Sequence, residues 1–394
     1  MKKYVSLAIR YRPQRFCDVV GQKTITDVLS RAAAEGRVAP GYLLAGTRGV
    51  GKTTSARIFA KALNCASPQN GEPCNACEQC RKITNGSHPD VIEIDGASNN
   101  SVEDARGLRE NIGFAPMEGR YKIFIIDEAH MLSKSAFNAL LKTLEEPPRN
   151  VTFIFATTEL HRFPPTILSR CQVFSFHHLP QSEIEGHLTD ILSREKIPAE
   201  GGAVRLLARR AAGSVRDSMS LLDQVLAYGD ETLTEARVRE VLGLAGLEAV
   251  ETLLNAVADG DCRAVARFAR DLTAREVDIG FFVRELIEHL RSLFLLRKCD
   301  RDFLAQMGAA PDELGCWERV APRFTPGYLH AAWQMALETQ RGIATSQEPA
   351  AALELLLINL ALLPSLLDVG HVGAEGLAAG GGGTPRPTGA PNDR

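Results

Sequence analysis

Between Tyr42 and Phe176 the chain alternates short apolar runs with stretches of helical periodicity. The runs are Tyr42–Ala45, Val91–Ile94, Lys122–Ile126, Val151–Ala156 and Val173–Phe176. A short run without polar alternation suits a strand covered on both faces, so these predict a parallel sheet with helices on each side. Helices are predicted over Thr53–Asn64, Val102–Phe114 and Lys134–Glu145, the last stopped by Pro147 and Pro148, which cannot continue a helix. Beyond Leu179-Pro180 the strand pattern disappears. Residues 181 to 245 read as a small helical domain, and 246 to about 366 as a second one rich in Leu and Ala. From Gly370 on, Gly380–Gly383, Pro385, Pro387 and Pro391 mark a flexible or disordered tail. The fold class is α/β, a parallel sheet followed by two helical domains.

Composition narrows the function more than the fold. A chain of 394 residues exceeds one compact domain, and 45% apolar residues supply ordinary cores. The formal net charge of -3 gives no support for a protein that binds DNA strongly by itself, although local contact within an assembly stays possible. The N-terminal MKKYVSLAIRYRPQRF lacks the apolar core of a signal peptide. The most apolar segment, Ala350–Leu363, is short for a bilayer span and carries Glu354 and Asn359, so it reads as a buried helix. A cytoplasmic protein without membrane contact is expected. Four of the nine cysteines cluster, which in such a chain favours a metal site over disulfides. Cys17, Cys171, Cys262, Cys299 and Cys316 are scattered and read as core packing.

Gly46-Thr47-Arg48-Gly49-Val50-Gly51-Lys52-Thr53, followed by Thr54, lies between a predicted strand and a predicted helix, as a P-loop requires. Glycines let backbone N–H groups turn in around phosphates. Lys52 would reach the β- and γ-phosphates, the Thr53 hydroxyl would ligate Mg²⁺, and the helix N-terminus favours the anion. The run Ile123–Ile126 ends in Asp127 and Glu128. Ligands bind at the carboxyl ends of parallel strands, so Asp127 fits a Mg²⁺-holding role and Glu128 the base that polarises the attacking water. The pair alone could equally cap a helix; beside the P-loop it predicts an ATP hydrolase.

Cys65-x8-Cys74-x2-Cys77-x2-Cys80 offers four thiolates, enough for a closed tetrahedral Zn²⁺ site with a structural role. An iron–sulfur cluster is the competing reading, and nothing in the sequence suggests electron transfer. Thr157, within Ala156-Thr157-Thr158, could sense a γ-phosphate or simply reflect strand propensity. Arg170 in Ser169-Arg170-Cys171 and Arg216 in Gly213-Ser214-Val215-Arg216-Asp217 read, by themselves, as surface arginines.

Taken together these motifs resemble the gamma/tau subunit family of the bacterial DNA polymerase III clamp loader, an AAA+ ATPase family. The resemblance covers residues 4 to 240 densely. It includes Tyr11-Arg12-Pro13, Phe16, Asp18-Val19-Val20-Gly21-Gln22, the P-loop, Leu63-Asn64-Cys65 and the three later cysteines. It continues through Ile92-Glu93-Ile94-Asp95, the stretch from Asn138 to Pro148, Ala156-Thr157-Thr158 and Ile167-Leu168-Ser169-Arg170-Cys171. The resemblance implies an AAA+ domain over 1–179 with a zinc module at 65–80. It further implies a helical lid over 180–245, a helical collar over 246–368 and a disordered tail over 369–394.

It also implies roles that spacing cannot give. Thr157 would be sensor 1, Arg216 a lid arginine (sensor 2) reaching the nucleotide, and Arg170 a finger acting on ATP in the neighbouring subunit. Arg12, Val19 and Val20 would lie near the adenine. Implied cofactors are ATP, Mg²⁺ and Zn²⁺. Implied partners are the delta and delta prime subunits, further gamma/tau copies, the sliding clamp, and primer–template DNA bound without sequence specificity. ATP binding would open the clamp and grip the DNA, and hydrolysis would release the clamp as part of the polymerase III holoenzyme. Two departures stand out. Ser98-Asn99-Asn100-Ser101, which opens a DNA-facing helix in this family, is uncharged here, leaving phosphate contact to backbone N–H groups and hydroxyls. The chain also stops soon after the collar, as in gamma rather than tau, with truncation of a longer product left open. The rivals are a non-hydrolysing scaffold such as delta prime, opposed by Lys52, Thr53, Asp127 and Glu128, and a branch-migration or recombination ATPase, opposed by the four-cysteine insert.

Overall fold

The computed structural model describes residues 5–98, 112–113, 115–229, 231–275 and 277–367. The predicted helix Val102–Phe114, apart from 112–113, Asn99–Ser101 and the tail lie outside the described residues. The chain divides into two compact units, Met1–Val238 and Arg239–Arg394.

The first unit holds a five-stranded parallel sheet ordered β2-β3-β4-β1-β5. The strands are β1 Gly41–Ala45, β2 Val91–Asp95, β3 Lys122–Asp127, β4 Val151–Thr157 and β5 Gln172–Ser175. Central strands β1, β3 and β4 are the uninterrupted apolar runs, and covering both their faces removes the most apolar area from water. On one face Ile58, Phe59 and Leu63 of the helix Lys52–Asn64, with Leu29 of the helix Lys23–Glu35, pack on Tyr42, Ile123, Ile125 and Ile154. On the other, Phe137, Leu140 and Leu144 of the helix Lys134–Glu145 pack on Leu43, Phe124, Phe153 and Phe155. The expectation of two-sided burial fails at the sheet edges. Val173 on β5 is 43% exposed, because an edge strand has a neighbour on one side only. β5 also starts one residue early, at Gln172, where pairing with Tyr42 begins.

After the sheet, the helices Gln181–Glu195, Gly201–Arg210 and Val215–Leu226 form a small bundle inside the same unit. Its core includes Ile184, Leu188, Leu207 and Leu222, all nearly inaccessible. Among its described residues the second unit has helices and no strand, and shares one core including Leu254, Phe282, Leu286, Trp317, Leu329 and Leu357. Its boundary precedes the predicted break after residue 245, since Arg239 and Gly243 already bond within it. The Arg239 guanidinium donates to the Ala245 carbonyl (2.5 Å), and Asp278 N–H donates to the Gly243 carbonyl (3.0 Å). The apolar segment at 350–363 lies in the helix Pro349–Leu367, buried at Leu353, Leu356 and Leu360 but 60% exposed at Leu355. That helix is therefore buried along one face only and leaves apolar side chains exposed on the other. Among the described residues no helix is long and apolar enough to cross a membrane. Cys316 is buried, but Cys17 and Cys299 are exposed, the first on a short turn and the second at a helix C-terminus, so core packing does not describe them.

Candidate nucleotide site and four-cysteine centre

β1 hands the chain to the P-loop. Gly46 N–H donates to the Thr157 carbonyl (3.1 Å), extending the β1–β4 ladder by one step before the loop turns away. Gly51 has a φ of 103° and caps the helix that begins at Lys52, a conformation that a side chain would strain. Lys52 is 6% exposed, and its ammonium donates to the carbonyls of Gly46 and Thr47 at 2.7 Å each. Burial lowers the Lys52 pKa below the ordinary lysine value, while Glu128 and Asp127 oppose that shift. The ammonium is thus held over the loop, where a phosphate oxygen would exchange for the carbonyls.

At the end of β3 the Thr53 hydroxyl donates to Asp127 Oδ2 (2.8 Å), and Glu128 N–H donates to Asp127 Oδ1 (3.0 Å). Glu128 has a φ of 44°, a left-handed conformation that costs a non-glycine residue about 1 kcal/mol. The Thr158 hydroxyl donates to Glu128 Oε2 (3.3 Å), and His130 Nδ1 lies 3.5 Å from the same oxygen. His130 Nδ1 is also 3.1 Å from Thr157 Oγ1, which accepts Glu159 N–H at 3.0 Å. Thr157 is therefore wholly buried behind the acids, and its neighbour Thr158 is the one bonded to Glu128.

Lys52, Thr53, Asp127 and Glu128 open onto a cleft of about 580 Å³. Of the residues singled out from the sequence, Arg12, Val19, Val20, Arg48, Gly49, Val50, Gly51, Lys52, Thr53, Thr54, Asp127, Glu128 and Arg216 line it. Gly46 and Thr47 contribute through their carbonyls to Lys52, while Thr157 and Arg170 stand outside the lining. Burial lowers the Arg12 pKa, and the positive charges of Arg57 and Arg216 lower it further, against Glu93 and Asp127. Arg12, Arg48, Lys52 and Arg216 line the cleft, cations suited to a polyanion, beside the acids Asp95, Asp127 and Glu128. Arg216 opens the helix Val215–Leu226, whose cap Ser214 accepts Asp217 N–H (3.2 Å). Its own N–H donates to the Gly49 carbonyl (3.3 Å), and a Cβ on Gly49 would meet Ser214 Oγ at 1.9 Å. Only glycine admits the helix this closely. Arg170 is held elsewhere, donating to Glu145 (2.7 Å) and the Thr166 carbonyl (2.7 Å) just before edge strand β5. Sequence reasoning missed His130, His187 and Met219. The last two line the cleft from the helical bundle, and no motif marks them. His130 carried the available signal, three residues after Asp127.

The four cysteines converge: the sulfurs of Cys65, Cys74, Cys77 and Cys80 all lie within 4.8 Å of one another, and none is in a disulfide. A tetrahedron with Zn–S near 2.3 Å places its sulfurs about 3.8 Å apart, so the donor set fits such an ion. Cys74 N–H points to Cys65 Sγ (3.3 Å), Cys77 N–H to Cys74 Sγ (3.3 Å) and Cys80 N–H to Cys77 Sγ (3.5 Å). N–H groups from Ala76 and Cys77 draw the Cys74 thiol down to about 6, favouring the thiolate a metal needs.

Comparison with known proteins follows this geometry. Residues 21–180 match the family described as DNA polymerase III, delta subunit. Residues 183–231 match the DNA polymerase III clamp loader subunit ATPase lid domain, and 233–371 match domain III of DNA polymerase III subunits gamma and tau. The chain is 38% identical over 356 residues to DNA polymerase III subunit tau of Salmonella typhimurium, covering 90% of this chain and 55% of that protein. It thus spans about half the length of that relative. DNA polymerase III subunit gamma of Buchnera aphidicola subsp. Acyrthosiphon pisum is 40% identical over 291 residues, 74% of this chain and 80% of its own. Its counterpart from Buchnera aphidicola subsp. Baizongia pistaciae is 32% identical over 357 residues, 91% of this chain and 96% of its own. Sharing sequence at this level over nearly the whole of a gamma subunit, the chain belongs to the gamma/tau subunit family of DNA polymerase III.

Proposed function

We propose that this chain is the ATP-hydrolysing motor of a sliding-clamp loader. The observation that carries the reading is the single cleft onto which Lys52, Thr53, Asp127 and Glu128 all open, with Thr53 Oγ1 2.8 Å from Asp127 Oδ2. Thr53 and Asp127 would hold Mg²⁺, which neutralises charge developing on the transferred phosphoryl group. Lys52 and the loop N–H groups bind the β- and γ-phosphates. Glu128, fixed by Thr158, orients the attacking water and takes its proton. Arg12, Val19 and Val20 form the wall on the nucleoside side. Arg216 reaches the phosphates from the lid, Thr157 acts behind the acids as a sensor, and Arg170 serves the ATP of a neighbouring subunit. The division into motor, lid and collar is read as 1–179, 180–238 and 239–368, its last boundary moved from 245 to the break between the two compact units.

Partners are proposed on family membership: delta, delta prime, further copies of this chain, the clamp and primer–template DNA, in the cytoplasm. A structural Zn²⁺ on Cys65, Cys74, Cys77 and Cys80 is the metal this donor set supports best. The scaffold reading draws on the delta-subunit match over 21–180, but Lys52, Thr53, Asp127 and Glu128 on one cleft favour hydrolysis. Steady-state hydrolysis by the assembled loader separates the two. Glu128→Gln should retain ATP binding and slow turnover by about 10²–10⁴. Turnover at the wild-type rate would remove Glu128 as the base, and a wild-type chain without turnover would favour the scaffold.

A further inference from the structure

The four-cysteine loop grips the segment that forms one wall of the cleft. Arg12 and Pro13 line the cleft before the grip, and Val19 and Val20 line it after. Between them, the Gln14 carbonyl accepts from the Lys61 ammonium (3.0 Å) and the Asn75 amide (3.1 Å). Glu72 then receives two backbone donors, Phe16 N–H on Oε2 (2.7 Å) and Cys17 N–H on Oε1 (2.9 Å). These donors open the turn Phe16–Asp18, whose first N–H groups have no partner within it, so a carboxylate there satisfies both.

Glu72 is itself aimed by the loop. Gln69 and Glu72 exchange backbone bonds (3.1 and 2.9 Å) across Asn70 and Gly71, both at positive φ. A Cβ on Gly71 would lie 1.9 Å from the Ser30 carbonyl, and the Ser30 hydroxyl donates to the Asn70 carbonyl (3.0 Å). The turn therefore seats on the helix Lys23–Glu35 on one side and is tied to Cys74 on the other. Lys61, 2% exposed, joins the two parts by also donating to Asn75 Oδ1 (2.7 Å). None of Lys61, Glu72 and Asn75 lines the cleft.

We propose that Glu72, aided by Asn75 and Lys61, is a positioning residue for the nucleotide, and that the cysteine module sets ATP affinity by holding the Arg12–Val20 wall. The proposal rests on reading the cleft as the ATP site and the cysteines as a metal site. It demands a selective effect: the nucleoside end loses its wall, while the triphosphate keeps the P-loop.

The test is calorimetric binding to the full chain of two Mg²⁺-bound probes, adenylyl-imidodiphosphate and inorganic tripolyphosphate, which lacks the nucleoside. Glu72→Ala removes two backbone hydrogen bonds and should weaken the nucleotide analogue about tenfold, with tripolyphosphate affinity falling much less. Glu72→Gln keeps one acceptor oxygen and should fall between, with KM raised and kcat at saturating ATP retained in the assembled loader. Cys77→Ser, with its metal content measured, should show the same selective loss. Glu72→Ala binding the analogue as wild type does, or losing both probes in proportion, would overturn the proposal. A wild-type chain without bound metal would overturn the metal's part and leave that of Glu72, whose comparison leaves the cysteines intact. A wild-type chain that bound neither probe would overturn the reading of the cleft, and this proposal with it.

Discussion

Lys52 donates to two carbonyls of its own loop, and those bonds define what its loss would do. Lys52→Ala removes the cation that the phosphates would share with the loop and leaves the Gly46 and Thr47 carbonyls facing them. ATP binding measured by calorimetry should be abolished while the thermal melting point stays near that of the wild type. Retained tight binding would mean that the triphosphate is held elsewhere. At this scale the sequence was most informative where chemistry is local. The P-loop and the Asp127–Glu128 pair are each contiguous runs, and the rule that ligands bind at the carboxyl ends of parallel strands joined them across 74 positions. Thr158, His130 and Glu72 were not legible in the same way. Glu72 meets Phe16 and Cys17 from 56 and 55 positions away, and no period or motif announces such a pairing. Thr157 shows the limit within a motif: it closes β4 while Thr158 lies just beyond, and the sequence does not say which meets Glu128.

Elements were legible in proportion to their burial. β1, β3 and β4 are covered on both faces and stand out as uninterrupted runs, whereas edge strands β2 and β5 are partly exposed and their ends blurred. One residue between elements secures the approach to β3. Asp90 is wholly buried and accepts N–H donors from Met117 (2.8 Å), Glu118 (2.7 Å) and Gly119 (2.7 Å). Burial would raise its carboxyl, but these donors outweigh it and hold the pKa below the ordinary aspartate value. A group depressed on folding stabilises fully above its unfolded pKa, about pH 4, and that share is lost as pH falls through the folded value. Asp90→Asn removes one acceptor oxygen and the charge. It should cost about 1–3 kcal/mol at neutral pH by denaturant unfolding, with the gap to wild type closing under acid. A constant gap at every pH would assign the loss to packing instead.

Across the whole molecule, the placement of Arg170 separates a ring motor from a lone ATPase. It lies outside its own cleft, tied to Glu145 beside edge strand β5, so its removal should spare nucleotide binding to the isolated chain. In the assembled loader, an arginine supplied in trans stabilises charge on the γ-phosphoryl oxygens, and Arg170→Ala should lower stimulated hydrolysis by about 10³–10⁵. Mixing this variant with Lys52→Ala subunits restores interfaces that pair an intact arginine with an intact P-loop, and part of the activity should return. Loss of ATP binding by the isolated Arg170→Ala chain would place the arginine in cis. The two-unit division was visible in outline as the expected break between two helical domains after residue 245, but its position was not, because Gly243 and Ala245 already join the second unit without any change in composition. Gly49 carries a last consequence. Its carbonyl receives the Arg216 N–H, and the methyl it lacks would occupy the place of Ser214 Oγ. Loop and bundle helix therefore meet through one peptide unit. A rotation of that peptide as phosphate oxygens are gripped should tilt Val215–Leu226, and a distance measured from the loop to the far end of that helix with and without nucleotide would read it; an unchanged distance would mean that the contact gives way instead.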